Sequence, residues 1–194
     1  MVKENISLLF FSALLVISIF MLTFSGYKMT GHVTSGSTVS NVTIVNYLSI
    51  SMSDNLSSGI LFGSVDTLPA TNVNATHNYD GAVSASSMSM SVSSDSNVNV
   101  DFCIKANEDL KNSGTDIIGI GNETYANSTS SDISSPAIAD KIALTTGYVK
   151  SGINIAKGTS NYYRIWLSIP AAQAPGTYNN TIFFEGVATG GACS

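Results

Sequence analysis

The segment DSNVNVDFCIK, residues 95–105, puts oxygen-bearing side chains on every second position, at Asp95, Asn97, Asn99 and Asp101, as the ligands of a calcium loop are placed. A helix-flanked calcium loop also needs Gly at its sixth position and Glu at its twelfth; counted from Asp95, these are Val100 and Ala106. The apolar residues Val98, Val100, Phe102 and Ile104 occupy the intervening positions, the two-residue period of a strand with one buried face. Asp95 and Asp101 keep the option of joining an ion site with a neighbouring loop, and Cys103 falls on the face opposite the apolar residues. Catalytic chemistry finds few carriers. His32 and His77 stand outside any HExxH pattern, and no GxSxG, phosphate-binding or dinucleotide-binding fingerprint occurs. His77 with Asp80 has the residue types to bind a metal or orient a nucleophile, but a lone loop histidine is ordinarily solvated surface. No enzymatic activity and no cofactor are expected. The third set is Tyr162, Arg164 and Trp166, alternate residues on one strand face that include the chain's only arginine. Aromatic residues and arginine dominate protein interfaces, and aromatic faces stack on sugars. The row reads either as a contact patch or as cover for a sheet face beneath a loop.

The elements that must position these residues are strands. Only 11% of residues are charged, with many Ser, Thr, Asn, Val and Ile, which predicts an all-β chain kept soluble by hydroxyls and amides. Alternation predicts strands over 42–52, where Val42, Ile44, Leu48, Ile50 and Met52 are apolar; over 86–94 with Met88, Met90 and Val92; and over 97–105. The glycine-bracketed run GILFGSV at 59–65 predicts a more buried strand, and further candidates are 116–121, 141–149, 161–169 and 178–188. Short helical turns are expected within 106–112 or 136–143, and ANSTSSDISS at 126–135 reads as an exposed loop. Strands at these intervals predict an antiparallel β-sandwich of immunoglobulin-like or jelly-roll type, preceded by a hydrophobic N-terminal helix.

That helix is the weakly polar to apolar run of residues 8–24 behind Lys3. Its 17 residues would rise roughly 25 Å as a helix, slightly less than the hydrocarbon core. Small residues at Thr23 and Ser25 before Gly26 fit signal peptidase, while Lys28 would suit the far interface of an uncleaved anchor. Residues 1–25 are therefore a signal peptide or membrane anchor, 26–38 a linker or arm, and 39–194 the sandwich, exported to the cell surface or beyond. Residues 8–24 would contact the membrane if uncleaved. Export agrees with two other features. Beyond residue 25, six Asn-X-Ser/Thr sequons, at Asn41, Asn55, Asn74, Asn122, Asn127 and Asn179, permit a glycosylated surface. The only cysteines, Cys103 and Cys193, are expected to be bridged within the chain or, as the alternative, between chains. A net charge of -5 excludes a phosphate-tracking surface, so no nucleic-acid partner is expected.

In the final third, YYRIWLSIPAAQAPGTYNNTIFFEGV (162–187) leads from an alternating strand through a Pro/Gly connection into a last strand. Its PGTYNNTIFF portion resembles the closing strand of immunoglobulin-like surface and fibre modules, including spore coat protein U-like and camelysin/TasA-like proteins. Together with ILFGSV, NVNVDFCIKAN and GNETY, residues 30–194 resemble a group of exported β-sandwich surface proteins of archaea. The resemblance implies surface location and fold and supplies no catalytic residue. Locally, Pro175 stiffens the approach to the strand, Gly176 is free to take positive φ, and Tyr178 has the position of a tyrosine corner that bonds its hydroxyl to a nearby loop. Three roles are consistent with this chain: a structural or adhesive surface protein, a fibre subunit that inserts residues 26–44 as a strand into its neighbour, and a carbohydrate-binding module using the aromatic row. Self-association, other surface proteins and glycans are the corresponding partners.

Overall fold

In the computed structural model, which describes residues 12–16, 37–78, 88–130 and 135–194, nearly all regular structure is β. Residues 1–43 and 44–194 form separate units. In the first, 12–16 are helical and 37–43 are exposed without regular structure. The other residues of 1–25 and 26–36, His32 included, lie outside the described residues. Among the described residues, no helix is long and apolar enough to cross a membrane.

The second unit runs through strands β1 (Ile50–Met52), β2 (Ala70–Asn74), β3 (Met88–Val92), β4 (Val100–Ala106), β5 (Leu110–Lys111), β6 (Ile117–Ile118), β7 (Glu123–Ser128), β8 (Ile142–Ala143), β9 (Val149–Ile155), β10 (Ser160–Ile169) and β11 (Ile182–Ala188). One short helix, α1 (Asp54–Ser57), follows β1, with the Ser53 hydroxyl accepting from the Leu56 amide at its N-terminus. Every pairing is antiparallel. The largest sheet is ordered β1-β3-β10-β7-β8, with β2 also pairing β10; a second is β11-β4-β9, and β5-β6 form a ribbon. β10 organises the first sheet: one edge pairs β3 through Ser160–Tyr163 and β2 beyond Trp166, and the other pairs β7 from Tyr162 to Leu167.

Alternation explains the core. Val100, Phe102 and Ile104 of β4 have no exposed surface and pack with Ile155 of β9 against Met88, Met90 and Val92 of β3, Tyr125 of β7, and Tyr163 and Ile165 of β10. The rings of Tyr163 and Phe184 of β11 meet edge to face, centroids 5.2 Å apart. Each such side chain contributes roughly 1.5–3 kcal/mol by leaving water. A smaller cluster joins Leu110, Ile118 and Leu167, with Ile169 and Tyr178 packed against it.

A polar node links the two sheets inside this apolar shell. The Asn161 amide, fully buried on β10, donates to the Ser151 carbonyl on β9, and the Tyr163 and Ser151 hydroxyls lie 2.9 Å apart. Gly152 makes room for that amide, since a Cβ there would lie 2.7 Å from Asn161 Nδ2. β9 passes to β10 through a turn at Gly158, whose φ of 73° suits glycine.

The structure corrects several sequence expectations. Of 42–52, only Ile50–Met52 joins a ladder, and Val42, Ile44 and Val45 are exposed. The preceding chain is held instead by Asn97, whose side chain accepts from the Tyr47 amide and donates to the Val45 carbonyl. Residues 59–65 form no strand: Gly59 and Gly63 take positive φ and turn the run off any ladder, leaving Leu61 exposed. Loop chemistry at 126–135 was misleading, because β7 continues to Ser128 with Ala126 buried, while 131–134 lie outside the described residues. The expected helical turn appears at Ile138–Asp140, whereas 106–112 contains β5. The expected strand at 116–121 shrinks to β6, and that at 141–149 to β8, with β9 starting where it was expected to end.

Gly152→Ala should destabilise the protein by about 1–3 kcal/mol in urea unfolding, the usual cost of forcing atoms into a packed interior. Gly121→Ala, where an added Cβ meets nothing within 4 Å, should change the midpoint little.

Candidate functional site

The most heavily built surface is the outer face of the second sheet. Asp101 and Cys103 follow from the strand period as outward residues of β4, yet both are buried, at 1% and 0% exposure. The cover is the C-terminal tail. The Thr189 amide donates to the Asn99 carbonyl, the Gly190 amide to Asp101 at 3.0 Å, and the Ser194 amide and hydroxyl to Glu185 on β11. Cys193 is disulfide-bonded to Cys103, with Cα atoms 6.1 Å apart.

Asp101 is the electrostatic centre of this strap. It accepts from Lys150 Nζ at 2.6 Å, from the Asn154 amide at 2.8 Å and from the Gly190 amide. Burial alone would push its carboxyl up; the Lys150 hydrogen bond, the two amides and the lysine's charge outweigh that and hold it at about 2. Glu123 on β7 shows the reverse balance. It is 2% exposed and receives one donor, Asn180 Nδ2 at 2.9 Å, so burial wins and raises its pKa. Tyr125 is likewise shifted up by burial, as is Tyr163 despite bonds to Ser151 and Asn161.

The four oxygen-bearing residues of the opening segment do not converge. Asn97 is engaged with the 45–47 backbone, the Asn99 amide donates to Asn154 Oδ1, and Asp101 belongs to the tail strap. Asp95 is exposed in the turn before β4. Among the described residues, no group of three or more His, Cys, Asp or Glu is placed to hold a metal. His77 Nε2 lies 3.3 Å from the Ser58 hydroxyl; Asp80 lies outside the described residues.

Of the two readings of the row Tyr162, Arg164, Trp166, the geometry is that of residues beneath a loop: Trp166 is 3% and Arg164 9% exposed, and Arg164 Nη1 donates to the Pro136 carbonyl at 2.8 Å. Tyr162 is half-buried. β2, β3 and β7 occupy the two edges of β10, and the Pro136 segment held by Arg164 lies over its outer face. The aromatic group that does reach solvent was missed: Lys105 Nζ sits 4.1 Å from the Tyr148 ring centroid and 5.8 Å from that of Phe183, which is 41% exposed. Alternation places Lys105 outward, but only the β4-β11 register brings Phe183 beside it.

Tyr178 takes the corner arrangement expected of it. Its hydroxyl donates to the Ala174 carbonyl at 2.9 Å and accepts from Gln173 Nε2 at 2.8 Å, while its ring packs on the smaller cluster. Gly176 before it has φ 157°, close to extended backbone. The sequons fall at different depths: Asn41, Asn74 and Asn179 are exposed, and Asn55, Asn122 and Asn127 are half-buried. Comparison with protein-family models and with curated proteins returns no match.

The two buried carboxylates give opposite pH signatures. The folded value of Asp101 lies below its ordinary 3.8, so its contribution is complete above that value and is lost as pH falls through about 2. Asp101→Asn should cost about 2 kcal/mol at pH 7, with the difference from the parent shrinking from pH 4 downward. The folded value of Glu123 is raised, so its carboxyl favours folding below the ordinary 4.5 and opposes it once pH exceeds the folded value. Glu123→Gln should therefore raise the urea midpoint at pH 7 and leave it unchanged at pH 3.

Proposed function

We propose that this chain is an exported, non-catalytic structural or adhesive protein of the cell surface. The observation that carries this reading is the tail strap: a disulfide sealed against a central strand, which persists where the environment is oxidising. The buried polar groups support the same reading, since Asp101, Arg164 and Asn161 are engaged in holding chain segments together. In this proposal the two larger sheets are the layers of an immunoglobulin-like or jelly-roll sandwich, supported by the single apolar cluster that draws on both. In the same proposal residues 8–24 are the hydrophobic export segment, cleaved or retained as an anchor. The resemblance to exported archaeal surface proteins belongs to the same proposal.

A second reading, a fibre subunit joined to its neighbour by strand insertion, is favoured by residues 39–47. Val39, Val42, Ile44, Val45 and Tyr47 are 92%, 81%, 78%, 73% and 55% exposed, an apolar series without regular structure that would leave water by pairing with another chain. β11 is a suitable acceptor: among the described residues it pairs only with β4, and none of its residues is fully buried. Backbone hydrogen bonds at such an edge join chains without a prior pocket.

Fractionation of the source cells tests the first reading: the chain should appear in envelope or extracellular fractions, and a cytoplasmic location would end it. For the second, a Val42→Asp/Ile44→Asp variant should keep the parent unfolding midpoint and lose regular fibres in negative-stain micrographs of surface material. Unchanged fibres would exclude insertion through this segment.

A further inference from the structure

The six sequons separate into structurally different groups, and the difference lies in the nitrogen that a sugar would have to reach. N-glycosylation forms a bond between asparagine Nδ2 and the anomeric carbon of a lipid-linked glycosyl phosphate. The bond from that carbon to the phosphate oxygen breaks, the lipid phosphate leaves, and Nδ2 gives up one proton to solvent. The amide must therefore face outward with room for a sugar ring beside it.

Asn41, Asn74 and Asn179 meet that demand. All three are exposed, and the side-chain nitrogen of each donates no hydrogen bond among the described residues. Asn74 is oriented further by its neighbour: its Oδ1 accepts from Asn78 Nδ2 at 3.3 Å, which fixes the oxygen toward the protein and leaves the nitrogen for solvent. Asn179 is held through its backbone, in a bridge with Lys111.

Asn122 and Asn127 present the opposite geometry. Both are half-buried with Nδ2 turned inward: that of Asn122 donates to the Gly119 carbonyl at 3.1 Å, and that of Asn127 to Asn161 Oδ1 at 3.3 Å. Asn161 belongs to the buried node that joins β9 to β10, so a sugar at Asn127 would have to enter the protein beside a fully buried amide. Asn55, half-buried in α1 and without a side-chain hydrogen bond, meets one criterion and not the other, and is left outside both groups.

We infer that Asn41, Asn74 and Asn179 carry N-linked glycans and that Asn122 and Asn127 remain unmodified in the folded protein. This rests on the export reading, because the glycosyl donor and its transferase act on exported chains.

The test is site-resolved peptide mass spectrometry of the full chain recovered from the surface fraction of its source cells. Glycan masses on Asn41, Asn74 and Asn179, with bare Asn122 and Asn127, are expected. A glycan on Asn122 or Asn127, or bare asparagine at all three exposed sites of surface-recovered protein, would overturn the assignment. Recovery of the chain from cytoplasm alone would instead defeat the export reading. In the same cells, Asn74→Gln should raise gel mobility by the equivalent of one glycan. Thr129→Ala, which removes the Asn127 sequon without touching the asparagine, should leave mobility unchanged; a shift there would contradict the proposal.

Discussion

β4 is enclosed on both faces, and the rest of the β unit is arranged around that constraint. Its inward residues Val100, Phe102 and Ile104 form the middle of the apolar cluster, which requires the other sheet to cover them. Its outward residues Asp101 and Cys103 carry a charge and a thiol that a single solvated sheet face would leave in water. Covering them falls to the last six residues of the chain, which satisfy the carboxylate through Gly190 and bond the sulfur through Cys193. A buried carboxylate is tolerable only when its oxygens are met by donors, and Asp101 has three. Backbone and disulfide thus solve one problem together: the tail shields the charge, and the charge helps to position the tail.

The same accounting distinguishes the two buried acids. Asp101 receives an ammonium and two backbone amides, enough to outweigh desolvation, whereas Glu123 has one side-chain amide and does not recover that cost. Between the sheets, Asn161, Ser151 and Tyr163 bond one another, Asn161 also accepts from Asn127, and Gly152 leaves space for the Asn161 amide. Such a node specifies register, because shifting β10 by one residue would turn Asn161 and Tyr163 together to the other face and take both away from Ser151.

Some of this was legible from residue order. Alternation located β3, β4 and β10 and assigned Val100, Phe102 and Ile104 to the interior, because a two-residue period translates directly into faces. The cysteine pairing followed from having two cysteines in a chain read as exported. Tyr178 was legible for a similar reason, its bond being local in sequence. Elsewhere periodicity failed because it reports a preference for a face and says nothing about whether another segment lies opposite. Val42 and Ile44 alternate as well as Met88 and Met90 do, but among the described residues no strand pairs with them and both are exposed. Asn127 and Ser128 read as loop, since their polar groups are met by β10, distant in sequence. For Arg164 and Trp166 the strand period supplied the face and left the environment open between contact patch and cover beneath a loop, because the cover over an outward face cannot be inferred from the strand that bears it.

A protein built this way depends on its covalent closure. The Cys103–Cys193 bond spans 90 residues, and loop closure of that length is worth about 4 to 5 kcal/mol in the chain-entropy description. The most direct measurement is equilibrium urea unfolding of the surface-recovered protein with the disulfide intact and after reduction and alkylation, with free thiols titrated beforehand. The account predicts no free thiol and a loss of about 4 kcal/mol on reduction; two titratable thiols in the native protein, or coincident unfolding curves, would contradict it.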